Sequence, residues 1–192
     1  MSLLHAMIDA ETWGTSRDAA IRAVCLMLFR PDTGAIEQAE LIDMRATLDE
    51  QIEYGRRVDG KTVKFWISQP RPLREYIQAY VQDKTYVQVK KPETLFRAVE
   101  DITSFFNNAH IKNDQLKIWS RGSFDTDLLN HLTDRFGTDL PYRYWQARDV
   151  RTLDEITNKP KPGQPHDPVS DCEAQIRQVV NALKLARQPE AA

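Results

Sequence analysis

Apolar residues come in short runs at the start of the chain and at helical spacing towards its end. Leu3 to Ile8 has the length of a buried strand and ends at Asp9. Ile21 to Phe29 (IRAVCLMLF) is a second run, rich in β-formers and stopped by the turn signal Arg30-Pro31-Asp32-Thr33-Gly34. Ala35 to Met44 fits a third strand, which gives an antiparallel meander at the beginning of the fold. Residues 45–91 carry the weakest pattern, with mixed charges, Gly55, Gly60 and a Pro70-Arg71-Pro72 break; within them Leu73 to Val81 has helical periodicity.

Pro92-Glu93-Thr94 opens an amphipathic helix with Leu95, Val99, Ile102, Phe105 and Phe106 near one face. Leu116 to Trp119 is a short strand before Gly122, and a helix from about Thr126 to Phe136 ends at Gly137. Tyr142 to Gln146 reads as the last strand, with Trp119 and Trp145 in the core. Asp149 caps a short helix, VRTLDEI. Residues 158–168, with four prolines and a glycine, are a loop, and a helix runs from Pro168 to about Ala186. Strands first and βα alternation afterwards predict an α/β fold: a mixed sheet of three leading antiparallel strands, then parallel ones, flanked by α-helices. The expected organisation is one domain over residues 1–186, with an irregular insertion at about 45–91 and a frayed tail at 187–192.

Composition narrows the function. The 192 residues are 41% apolar and 28% charged, enough to fill a core and keep the surface wet. No apolar run approaches the roughly 18–20 residues of a membrane span, and the first residues lack the pattern of a signal peptide. Cys25 and Cys172 form neither a metal-type pair nor a disulfide framework, which fits a cytoplasmic protein with free thiols. A formal net charge of −2 argues against broad, salt-driven wrapping of duplex phosphates. It is compatible with an enzyme that grips a few nucleotides and takes its positive charge from bound metal.

Three acidic elements stand out. Asp9-Ala10-Glu11 closes the first strand, and side chains two apart on a strand leave the same face. Phe124-Asp125 follows a strand and opens a helix, where Asp125 by itself reads as an N-cap; Asp127, two residues on, points elsewhere. In His166-Asp167-Pro168-Val169-Ser170-Asp171, Asp167 and Pro168 fit an N-cap and the first helical position. That leaves Asp171 in the first turns and His166 in the loop before them.

In this order and spacing, Asp9-x-Glu11, Phe124-Asp125 and His166 with Asp171 resemble the DEDDh 3′–5′ exonucleases, which have an RNase H-like fold. MIDAETWG and WSRGSFDTDLL are similar to the branch that includes T4 DexA-like exonucleases and the mycobacterial RNase AS. The resemblance runs from about residue 4 to 183. In the tyrosine-bearing sister class a Tyr would stand three before the last Asp; here that residue is Pro168, so the histidine class is indicated. Trp13 departs from the pattern, since relatives carry a smaller residue just after the second carboxylate.

The resemblance implies two divalent ions, Mg²⁺ or Mn²⁺, with Asp9 bridging both. Glu11 and Asp171 would hold the ion that carries the nucleophile, and Asp125 would serve the second through water. Phosphodiester cleavage needs a positioned water, charge compensation and help for the departing oxygen, which two hard cations supply together. Carboxylates are the matching ligands. His166 is the implied general base, because an imidazole exchanges protons near neutrality; its loop is expected to order when metals and substrate are present. A single-stranded DNA or RNA 3′ end needs aromatic stacking and a few cations. Trp13, and Phe65-Trp66 with Gln69, are the stacking candidates, with core or dimer packing the alternative for Trp66; Arg56, Arg57, Lys61 and Lys64 are candidates for tracking phosphates. A homodimer is implied by resemblance alone. The competing readings are a catalytically silent RNase H-like module that binds nucleic acid or protein, and an endonuclease of the same fold.

Overall fold

The computed structural model describes residues 4–70, 84–108, 116–140 and 142–187. Its centre is a sheet in the order β4-β3-β2-β1-β5-β6, formed by His5–Thr12 (β1), Ile21–Phe29 (β2), Ile36–Asp43 (β3), Val87–Lys90 (β4), Lys117–Ser120 (β5) and Ala147–Asp149 (β6). The first three strands pair antiparallel, whereas β3/β4, β1/β5 and β5/β6 are parallel. The mixed sheet expected from the chain's pattern is therefore present. Every residue of β2 is buried, as a run apolar on both faces requires.

The period of two along the strands divides the core. Ala6, Ile8, Val24, Leu26 and Ile42 face Leu95–Asn108 (α3) and Phe124–Asp134 (α4), including Phe105, Phe106, Leu128 and Leu132. Met7, Cys25, Met27 and Leu41 face Pro168–Ala186 (α5) through Val169, Cys172, Ile176 and Val179. Asp9 and Glu11 share the parity of Met7, so their side chains emerge on the α5 side. Residues 45–70 add a 3₁₀ turn at Arg45–Thr47 and two short helices, Leu48–Glu53 (α1) and Gly60–Ser68 (α2).

Four local expectations change. The first strand continues past Asp9 to Thr12. The strand expected at Tyr142 to Gln146 is instead a 3₁₀ turn at Tyr144–Gln146, and pairing starts at Ala147. Buried Gln146 makes that turn, donating to the Leu116 carbonyl at 3.0 Å and accepting from Arg143 N–H. Trp119 is core, but Trp145 is 49% exposed beside Tyr144, so β-forming aromatics there mark surface. Asp125 is not the cap of its helix: Ser123 holds the N-cap position, and Asp125 lies within the first turn. Asp167 and Asp149 do cap the elements that follow them, with Asp167 accepting from Val169 and Ser170 N–H. The helix expected at Leu73 to Val81 lies outside the described residues.

Candidate active site

β1 carries Asp9 and Glu11 beyond the point where its pairing with β5, over His5 to Met7, has stopped. The Ala10 N–H beyond that pairing goes to the Asp125 carboxylate, which fixes the start of α4 against β1. From the opposite side α5 presents Asp171 and, one turn later on the same face, Gln175. Carboxylate oxygens of Asp9, Glu11 and Asp171 lie within 4.8 Å of one another. Gln175 Nε2 donates to Asp9 Oδ1 at 2.8 Å. Asp125 is outside this trio and adds its charge to the field at Asp9. Three of the four acidic residues singled out in the sequence therefore converge at one end of the sheet, and the fourth, Asp125, is near enough for its charge to act on Asp9 and Glu11.

Burial and mutual repulsion dominate their ionisation. Burial, followed by the charges of Asp125, Glu11 and Asp171, pushes the Asp9 carboxyl well above its ordinary value. Glu11 is raised in the same way by burial and Asp171, with Arg22 opposing. Burial lifts Asp125 to about 7 and Asp171 to about 6. Close, buried, anionic oxygens are costly by themselves and are satisfied by a hard divalent cation. This donor set fits Mg²⁺ or Mn²⁺; thiolate and imidazole donors, which softer metals favour, are absent from the trio.

His166 belongs to the surroundings of the trio. Its backbone N–H donates to Asp171, while its exposed ring stands edge-on to Phe65 (centroids 5.0 Å apart) and Trp66 (6.4 Å). It has a left-handed backbone, φ 61°, a region that few residues other than glycine adopt and in which Asn, Asp and His are the commonest exceptions. Asp127 is exposed and faces away, as its spacing implied.

The aromatic candidates separate. Trp13 is half-buried, and its main chain is tied to Ala20 and Asp59. Trp66 is only 3% exposed: its indole N–H donates to the Thr12 carbonyl at 2.9 Å, fastening α2 to the residue after Glu11. Gln69 donates to the Phe65 carbonyl at the end of α2. Among the basic candidates, Arg56 is buried and donates to the Ala19 carbonyl, and Arg57 pairs with Asp18 at 2.9 Å. Arg56 is therefore part of the scaffold, while Lys61 and Lys64 remain exposed.

Arg22 was not legible as a site residue. Register passes from Glu11↔Ala23 to Thr12↔Ile21, so Arg22 is the extra residue of a β-bulge opposite Glu11. Its guanidinium lies over the Trp66 ring at 4.0 Å and the Trp13 ring at 5.5 Å, with the whole side chain buried. A single Arg inside an apolar run carries no sequence signal of that placement. Gln175 had one: it stands four residues after Asp171 on a helix.

Residues 4–183 match the 3′–5′ exoribonuclease Rv2179c-like domain family. The chain belongs to that family. It is a 3′–5′ exonuclease. A curated relative, the exodeoxyribonuclease of Enterobacteria phage T4, is 24% identical over 212 residues, covering 94% of this chain and 89% of that protein. The nuclease domain of 3′hExo, a DEDDh family member solved with bound rAMP, superposes with a TM-score of 0.59 at 12% identity, over 95% of this exonuclease and 92% of that chain. The zinc-bound E. coli ExoI–ssDNA complex gives a TM-score of 0.62 at 14% identity, over 99% of this exonuclease and 42% of that larger chain. At such identities these two likenesses are of fold, and the fold is the RNase H-like one that the motifs implied.

Proposed function

We propose that this exonuclease removes nucleoside monophosphates from the 3′ end of single-stranded RNA or DNA, with two divalent ions and His166 as general base. The observation that carries the reading is the convergence of Asp9, Glu11 and Asp171 oxygens within 4.8 Å, with the charge of Asp125 acting on Asp9. The family supports exonucleolytic polarity. The ExoI–ssDNA complex supports a single-stranded substrate, and rAMP in the 3′hExo domain supports a nucleoside monophosphate at the site.

When bound, Mg²⁺ or Mn²⁺ supplies a positioned water and compensation for the charge developing on the phosphoryl oxygens. Asp9, Glu11, Asp171 and Asp125 are the residues that hold the ions, and Gln175 keeps the Asp9 carboxylate aimed. His166 accepts the proton of the attacking water at an imidazole nitrogen. Trp13 is the ring offered to the terminal base, because it is half-buried and only two residues after Glu11 in the chain. Trp66 acts from beneath, through Thr12 and Arg22, since a 3% exposed ring has no open face for a base. Work in the cytoplasm and pairing of two copies complete the proposal; sedimentation tests the latter.

Incubation of end-labelled single-stranded RNA and DNA with Mg²⁺, Mn²⁺ or EDTA tests the reading. Stepwise shortening from the 3′ end, abolished by EDTA, is the expected result, and relative rates assign the sugar preference. Internal cuts would indicate an endonuclease. Binding without cleavage would indicate a silent module.

A further inference from the structure

The helix α2, from the part of the chain with the weakest sequence pattern, brings Phe65 against His166. Phe65 is 37% exposed, so it fills no core, yet its ring meets the imidazole at 5.0 Å and 79° and the Trp66 ring at 5.1 Å and 72°. These are edge-to-face arrangements, in which the positive edge of one ring faces the π-cloud of the other. The base of α2 is rigidly tied. Asp59 caps it through Lys61 N–H, and Trp66 binds the Thr12 carbonyl directly after Glu11. The backbone of His166 is held by Asp171, and its left-handed conformation keeps the loop at an uncommon angle. The backbone of His166 is thus attached to Asp171, and its ring meets Phe65 on α2, the helix that Trp66 fastens to the strand end just after Glu11.

We infer that Phe65 is a positioning residue for His166, acting by holding the imidazole in one orientation before substrate arrives. This rests on the assignment of His166 as general base. Preorganisation of a proton acceptor raises turnover without changing how substrate or metal binds. An aromatic pair of this kind corresponds to about two- to ten-fold in the population of the held conformer.

Phe65→Ala, Phe65→Tyr, His166→Ala and the Phe65→Ala/His166→Ala double variant form the test, measured with a single-stranded oligonucleotide and Mn²⁺. Phe65→Ala is expected to lower kcat about two- to ten-fold while KM, Mn²⁺ affinity by calorimetry and melting temperature hold. Phe65→Tyr, which keeps the ring, is expected to restore most of the loss. In the His166→Ala background Phe65→Ala should cost nothing further, because the group it positions is gone. Unchanged kcat in Phe65→Ala, a rise confined to KM, or an equal fractional loss in the His166→Ala background would overturn the inference. Full turnover in His166→Ala would instead remove the general-base assignment. A crippled His166→Ala beside an unaffected Phe65→Ala removes only the role of Phe65.

Discussion

Asp9, Glu11, Asp125 and Asp171 differ in how each is held, and the differences set what each substitution does. Asp9 accepts from Gln175 and faces three other acids; Asp125 is 6% exposed and accepts the Ala10 N–H. Asp9→Ala and Asp125→Ala are expected to abolish cleavage in the end-labelled assay with circular dichroism unchanged. The fold survives because each removes one like charge from a repulsive cluster. His166→Ala should slow turnover by about 10²–10⁴, the range for loss of a general base, which single-turnover rates would show. Full cleavage by either aspartate variant would defeat the site assignment. These residues were readable through the family resemblance that their order along the chain carries; taken singly, Asp125 reads as no more than a helix cap. Arg22 was hidden because a bulge, formed only when β1 and β2 pair, turns it towards Glu11.

At the scale of elements, the turn between β5 and α4 matters most. Gly122 lies at φ 99°, donates its N–H to Asp149 Oδ1 at 2.8 Å, and leads directly into the helix that carries Asp125. Gly122→Ala is expected to cost about 1–2 kcal/mol in urea unfolding, from the left-handed backbone. It should lower kcat further than that loss explains, because Asp125 moves with the turn. An unchanged kcat would show that α4 finds its place without the turn. The leading strands and α5 were legible because a run apolar on both faces, or a proline after a capping Asp, has one physical outcome. The short strand β4 and helix α2 were not: their few residues pair or pack with segments distant in the chain, such as β3 and Thr12. Tyr144 and Trp145 misled for a related reason. Their β-propensity reflects packing on a sheet, and here they face solvent.

Over the whole molecule, the sheet acts as a frame that forces acidic groups from β1, α4 and α5 into one place, and its stability depends on what neutralises them. Asp125 and Asp171 titrate at about 7 and about 6 in the folded chain, raised from 3.8 by burial. Between the ordinary and the raised values the folded state keeps protons that the unfolded chain has lost. The contribution of these groups is therefore greatest at low pH and falls as pH rises through about 6–7. The melting temperature of metal-free protein should decline between about pH 5 and about pH 7.5, and saturating Mn²⁺ should remove that decline by binding the folded state. A metal-free melting temperature that does not fall over this range, or a decline that Mn²⁺ leaves in place, would mean that the acids are not the charge reservoir described. The same geometry makes the most direct test a crystallographic one. Anomalous diffraction from crystals soaked in Mn²⁺ and a nucleoside monophosphate should show two peaks between Asp9, Glu11, Asp125 and Asp171. Manganese absent from this end of the sheet, or bound elsewhere on the surface, would contradict the account.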